Sequence, residues 1–195
     1  MIKISIIAIC FSLLFVMLAW FMLPKFLEQP KYKVIKKEND IEIRKYDKIL
    51  TSSVKVYGNQ YNALRKGFRP LVRYIGAKER DSEKISMTAP VIQTTNESEN
   101  WTVSFAMPSK YNIDNLPKPA NDDIYFEEIQ PSLAAVIRFS GVADTSLLTQ
   151  KASVLKRWLE LNGYTESSSP KFLFYNDPTT PGFLRRNEVM IIIDK

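Results

Sequence analysis

Residues 40–58, DIEIRKYDKILTSSVKVYG, return 83 positions later as residues 123–141, DIYFEEIQPSLAAVIRFSG, in an alignment without gaps. In the first copy Ile41 and Ile43 alternate with Glu42 and Arg44, and Val54 and Val56 alternate with Lys55 and Tyr57. A period of two marks strands with one buried face, and Asp47–Lys48 between them reads as the turn of a hairpin. In the second copy Asp40 falls on Asp123, Ile41 on Ile124, Ile43 on Phe126 and Tyr46 on Ile129. Val54 then falls on Ile137, Lys55 on Arg138, Val56 on Phe139 and Gly58 on Gly141. Alternation alone produces some of these matches. A glycine shared at the switch from strand to helix does not follow from alternation, and it makes duplication the better reading.

Outward from each glycine the period changes. Tyr61, Leu64, Phe68, Leu71, Val72 and Ile75 recur at three- and four-residue spacing, one face of a helix ended by Gly76. Pro70 removes a backbone bond inside it and predicts a kink or break near Lys66–Arg69. The second copy predicts a helix over Thr145–Asn162, ended by Gly163, with Leu148, Ala152, Leu155 and Trp158 or Leu159 inward. The ungapped register continues into the helices, with Leu64 on Leu147 and Ile75 on Trp158. Strands are expected at Ile85–Thr94 and Trp101–Met107, joined by the polar turn 96–100, and at Lys171–Tyr175 and Glu188–Asp194. The fold class is therefore α+β, with duplicated ββαββ-like units pairing their sheets about a pseudo-twofold axis. A curved sheet or barrel carrying two long helices follows, with a cleft between the halves.

Apolar residues make up 45% of the 195 and charged residues 25%, a globular balance able to bury a core without staples. The net charge is +6, and the first 33 residues carry +3 of it through four lysines against Glu28. The remainder mixes signs, unlike the dense basic face of a nucleic-acid binder, so no nucleic-acid partner is expected. The single Cys10 allows no internal disulfide. No histidine is present, which removes His-based acid/base catalysis, Ser/His and Cys/His pairs and the usual zinc sites. Glu127, Glu128 and Glu188 could act as bases, but no spaced constellation demands an enzyme.

Residues 4–23, ISIIAICFSLLFVMLAWFML, form an uncharged run of 20, about 30 Å as a helix and the thickness of a bilayer core. Trp20, Phe21, Pro24 and Lys25 suit its interfacial end. The run exceeds the apolar region of a cleaved signal peptide, and no small-residue cleavage site follows it. Residue 9 is Ile9, which is also wrong for a lipoprotein site at Cys10. The expected organisation is a membrane anchor at 1–24, a linker at 25–33 and one domain at 34–195, with halves at about 34–107 and 123–194. Lys25, Lys31, Lys33, Lys36 and Lys37 after the run favour a cytoplasmic domain if the charge rule is read literally. A three-residue tail before a signal-like helix favours translocation, and the reading taken is a single-pass protein with an extracytoplasmic domain.

Two stretches stand outside the periodic pattern: Lys84–Val91, KISMTAPV, and Pro181–Val189, PGFLRRNEV. With Phe105–Pro108 (FAMP), Tyr111 and Leu116–Pro119 (LPKP) between them, they resemble the SOUL family of haem-binding proteins over about residues 32–194. The resemblance implies a distorted antiparallel β-barrel of two repeats with two long helices, similar to the effector-binding domains of the GyrI-like group. It implies a non-catalytic protein that binds haem or another tetrapyrrole in a shallow apolar groove.

Read as residues, Met87, Ala89 and Val91 face one side of a strand, with Ser86 and Thr88 on the other. Pro90 marks an edge or bulge, and core packing explains this motif first. In the second motif Arg185, Arg186 and Glu188 fit a charged cluster, and Asn187 a turn. A porphyrin needs an apolar platform and cations for its propionates. The first helix offers both, in Leu64, Phe68, Leu71, Val72 and Ile75 and in Arg65, Lys66, Arg69 and Arg73. The same residues also fit a core face backed by solvated cations. Without histidine, Met87, Met107, Tyr61 or Tyr74 are the axial candidates, and the expectation is haem without strong axial ligation, a metal-free porphyrin, or another amphipathic small molecule. The alternative is a small-molecule effector-binding domain that does not use haem. The oligomeric state stays open.

Overall fold

The computed structural model describes residues 11–12, 27–78, 82–97 and 100–194. The expected anchor at 1–24 lies outside them apart from Phe11 and Ser12. Among the described residues no helix is long and apolar enough to cross a membrane.

From residue 27 on, ten strands and two long helices follow one another among the described residues as β1 (Tyr32–Glu38), β2 (Ile41–Tyr46), β3 (Ile49–Tyr57), α1 (Gln60–Ile75), β4 (Val91–Glu97), β5 (Asn100–Ala106), β6 (Tyr125–Ile129), β7 (Ser132–Phe139), α2 (Thr145–Leu161), β8 (Thr165–Glu166), β9 (Lys171–Phe174) and β10 (Asn187–Asp194). A 3₁₀ turn at Gly182–Leu184 precedes β10. All strands join one antiparallel sheet in the order β1-β2-β7-β10-β9-β4-β5-β3-β6, with β8 on β10.

That order reads alike from both ends about the β4/β9 pair once β2 is matched to β6, β3 to β7, β4 to β9 and β5 to β10. The duplication is thus a pseudo-twofold, but with the first strand of each half exchanged. β2 pairs with β7 of the second half, and β6 with β3 of the first. The expected β2–β3 hairpin does not form. Two residues, Asp47 and Lys48, join them, so Tyr46 and Ile49 lie at most about 11 Å apart. In a flat sheet β2 and β3 would stand six strand spacings apart, about 29 Å. The sheet has to curl. With β1 and β6 as free edges, it makes a half-barrel instead of a closed barrel.

Curling gives the sheet two buried faces. On the convex side α1 lays Ala63, Gly67, Leu71 and Tyr74 on β3 and β5, while α2 lays Leu148, Ala152, Leu155 and Leu159 on β7 and β10. On the concave side Ile49, Ile92, Ala134, Val136, Leu173 and Met190 form a third cluster. Strand β7 displays the alternation directly: Ala135, Ile137 and Phe139 lie under α2, and Ala134 and Val136 lie inside the curl.

Gly58 and Gly141 hold φ of 122° and 118°, which favours glycine at both strand exits. Beyond them the ungapped register slips. The side chains of Asn59 and Asp144 cap α1 and α2, and these caps are 85 positions apart, so two residues are inserted before α2. The match of Leu64 to Leu147 and Ile75 to Trp158 therefore does not hold. The break expected at Pro70 does not occur either: α1 runs as one helix, held along its buried face. Strand β1 begins inside the expected linker, at Tyr32. Lys84–Pro90 lies outside any strand, and β4 starts only at Val91.

One end of the concave face is filled by charge. Glu188 is 0% exposed and takes a bidentate pair from Arg44, at 2.8 and 3.0 Å, across from β2. It also accepts from Arg186, at 3.0 and 2.8 Å, and from the Tyr175 hydroxyl at 2.9 Å. Arg44 donates further to Glu42 and Tyr46 and lies over the Tyr32 ring, and Arg186 lies over Tyr175 and reaches Gln29. Burial alone would raise the Glu188 carboxyl, but the hydrogen bonds and charges of Arg44 and Arg186 hold it below its ordinary value. Burial pushes the Tyr46 hydroxyl up to about 12.

Two outcomes are expected. Glu188→Ala takes the bidentate carboxylate from buried Arg44, leaving it only the Glu42 carboxylate, and costs about 3–5 kcal/mol in denaturant unfolding. Because the folded carboxyl lies below 4.5, its contribution is full above that pH and is lost as pH falls through the folded value. Glu188→Gln removes this part of the acid transition. A Cβ on Gly67 would come within 2.6 Å of Val103 and 3.2 Å of Val54, so Gly67→Ala forces α1 off the sheet and lowers stability by about 1–3 kcal/mol.

Candidate functional site

Helix α1 has a third surface besides its buried face and its solvated face. At ~100° per residue, Leu64, Phe68, Tyr61 and Val72 fall within about 80° of one another along one flank. Leu64 and Val72 are half-buried, while Phe68 is 38% and Tyr61 63% exposed. Phe68 is fixed from below by an edge contact with Phe105, ring centroids 5.3 Å apart. The flank is therefore apolar, backed by the core, and open to solvent.

Cations border this flank on the solvent side. Arg65 falls about 20° past Val72 and Arg69 about 60° past it; both are exposed. Arg65 lies over the Tyr61 ring at 5.8 Å. Arg73 lies about 100° past Val72, too far round to share an apolar ligand with Phe68. Lys66 reaches the carbonyl of Tyr57 on the opposite side.

The remaining expected contacts divide by burial. Leu71 is 0% exposed and belongs to the core, because the helix turns it straight onto the sheet; Ile75 is buried beside it. Met87 is half-buried and packs against the same cluster as Leu64 and Val72. Of the axial candidates, Met107 and Tyr74 are buried, and the Tyr74 hydroxyl donates to the carbonyl of Pro117 at 2.8 Å. Tyr61 stays exposed on the flank itself.

The two motifs hold the chain together. In the first, the Thr88 hydroxyl donates to the carbonyl of Ala106 at 2.6 Å, and Ala89 N–H donates to the carbonyl of Glu28 at 2.9 Å. The Glu28 carboxylate in turn accepts from Ser109 N–H, so residues 27–31 strap this corner down. In the second motif Arg186 and Glu188 form the expected cluster, with Arg44 as the partner that sequence reasoning missed. Arg185 instead donates to the carbonyls of Pro178 and Thr180, and Asn187 donates to Gly141 as turn support. Arg44 was legible only as one polar residue in an alternating strand. Its pseudo-twofold equivalent is Glu127, so pattern matching gave no sign of a shared role.

Comparison with known proteins gives the family and the fold. Residues 27–192 match the SOUL heme-binding protein family. Over 158 residues the chain is 30% identical to "Heme-binding protein 1" of Xenopus laevis, covering 77% of this chain and 82% of that protein. It is 26% identical over 162 residues to "Heme-binding protein 2" of Homo sapiens, covering 79% and 78%. Among solved structures, the EcmrR C-terminal domain shares the fold at a TM-score of 0.61 with 15% identity, over 84% of this chain and 98% of that one. The match spans both motifs and both repeats, and the chain belongs to the SOUL heme-binding protein family.

Proposed function

We propose that this protein binds a tetrapyrrole on the exposed apolar flank of α1, as a non-catalytic carrier, buffer or sensor. The observation that carries the reading is the coincidence, on one helix, of Tyr61, Leu64, Phe68 and Val72 with Arg65 and Arg69 beside them. The macrocycle lies on the four apolar side chains and its propionates take the two guanidiniums, whose forks suit carboxylates. Family membership and the names of the two relatives supply the ligand class. With no histidine, binding draws on apolar burial and charge, and a bound iron would find its axial oxygen at Tyr61 or none from this flank. Residues 1–24 anchor the domain, which begins at the strap 27–31 and β1, with the binding domain on the extracytoplasmic side.

The test is an absorbance titration of the full chain with haemin and with protoporphyrin. Saturable binding of both, at affinities within about tenfold of each other, is the expected result for a site that does not depend on iron ligation. Arg65→Ala with Arg69→Ala removes two exposed charge pairs and weakens binding about 3- to 30-fold. Phe68→Asp abolishes the platform. Unchanged affinity in both variants would place the ligand elsewhere.

A further inference from the structure

The two ends of the concave face are related by the pseudo-twofold but differ in chemistry. The strand registers match Val54 to Val103 and Ile137 to Val189, so Thr102 of β5 corresponds to Glu188 and Ser104 to Met190. By the offset of 83, Glu127 corresponds to Arg44, Thr51 to Ala134 and Ser53 to Val136. Where one end holds Ala134, Val136 and Met190 beneath a closed ion cluster, the other holds three buried hydroxyls. Ser53 and Ser104 lie 2.7 Å apart, and Thr51 lies 3.3 Å from Ser53. Above this floor the curl stays open as a cleft of about 360 Å³.

Among the described residues its two lysines make no hydrogen bond or ion pair. Lys171 enters from β9, half-buried, and its ammonium makes no hydrogen bond or ion pair among the described residues. Burial pushes Lys171 below its ordinary value, only partly offset by the charge of Glu127. At the rim Lys55 lies 5.9 Å over the Tyr125 ring and is likewise unpaired. A half-buried ammonium beside buried hydroxyls is costly unless something accepts from it.

We propose that this open end binds a small organic carboxylate. The carboxylate sits on Lys171 with Lys55 closing from the rim, the floor hydroxyls take its remaining hydrogen bonds, and the Tyr125 ring covers its apolar body. Glu127 accepts from a hydroxyl or amine at the far end of the same molecule. The cleft volume is at the low end for small-molecule sites, about 300–1,000 Å³. The site lies on the opposite face of the sheet from the α1 flank, so the two are separate.

Calorimetric titration of the full chain in detergent micelles with para-hydroxybenzoate tests this, with para-hydroxybenzyl alcohol as the neutral comparator. Saturable binding of the acid and not of the alcohol is expected. Lys171→Met weakens it by about tenfold or more, Lys171→Arg retains it, and Lys55→Met gives a smaller loss. Haemin titration of Lys171→Met reports that the domain is folded and stays unchanged. Equal binding of acid and alcohol, no saturation by millimolar acid, or unaltered affinity in both Lys171→Met and Lys55→Met would overturn the proposal.

Discussion

Two links of two residues each, Asp47–Lys48 and Gln130–Pro131, determine the shape of this molecule. Each joins strands that the sheet order places six positions apart. A chain that short leaves the sheet no choice but to bend until its distant strands face one another. The bend creates an inside. It also fixes the outside, because both strand-to-helix switches leave β3 and β7 on the convex side and return along it. Once the curl exists, every central strand has two buried faces, one under a helix and one within the trough.

An inner face of that kind has to be filled, and the two repeats fill it differently. The second half draws Arg44 across from its exchanged strand to Glu188 and surrounds the pair with Tyr46, Tyr175 and Arg186. Five side chains from β2, β9, β10 and their flanks are thereby locked in one network. A buried ion cluster often adds no more stability than an apolar core of equal volume; here it ties β2 of the first half to β10 of the second. The corresponding end at the first half carries buried hydroxyls, half-buried Lys171 and exposed Lys55 and Glu127, and leaves the space open. The two repeats thus form equivalent ends of one trough, one closed by the ion cluster and the other open.

Much of this was legible in the sequence, for identifiable reasons. The period of two found the paired faces of β3 and β7, the period near 3.6 found both helices, and Gly58 and Gly141 marked the switches. Pairing partners were not legible, because alternation assigns faces and not neighbours; a two-residue link between alternating strands looks like a hairpin whether or not one forms. Strand β1 escaped notice since it is an edge, with Lys33, Lys36 and Lys37 facing solvent and Val34 and Ile35 exposed as well. The strand expected at Ile85–Thr94 starts only at Val91, because Ile85 and Ala89 bond instead to the end of α1 and to the strap at Glu28. Arg44 and Lys171 were not singled out, for one shared reason. A polar residue in an alternating strand is assigned to water, and in a curled sheet the side opposite the helix is not water.

The same geometry separates the two surfaces available to ligands. A flat, amphipathic ring needs a wide open platform with charge along one edge, and the flank of α1 has that form: Phe68 is braced by Phe105, and Arg65 and Arg69 stand at its border. A compact anion needs an enclosed cation and short hydrogen bonds, which an exposed helix cannot supply and the trough can. The missing histidine sharpens the contrast. A protein that grips iron can hold haem on a small contact area; one that does not has to rely on the area of apolar contact and on pairing of the propionates. On this reading the shallow flank suits an exchangeable ligand, held by surface terms that are weak one by one and released without breaking a coordinate bond.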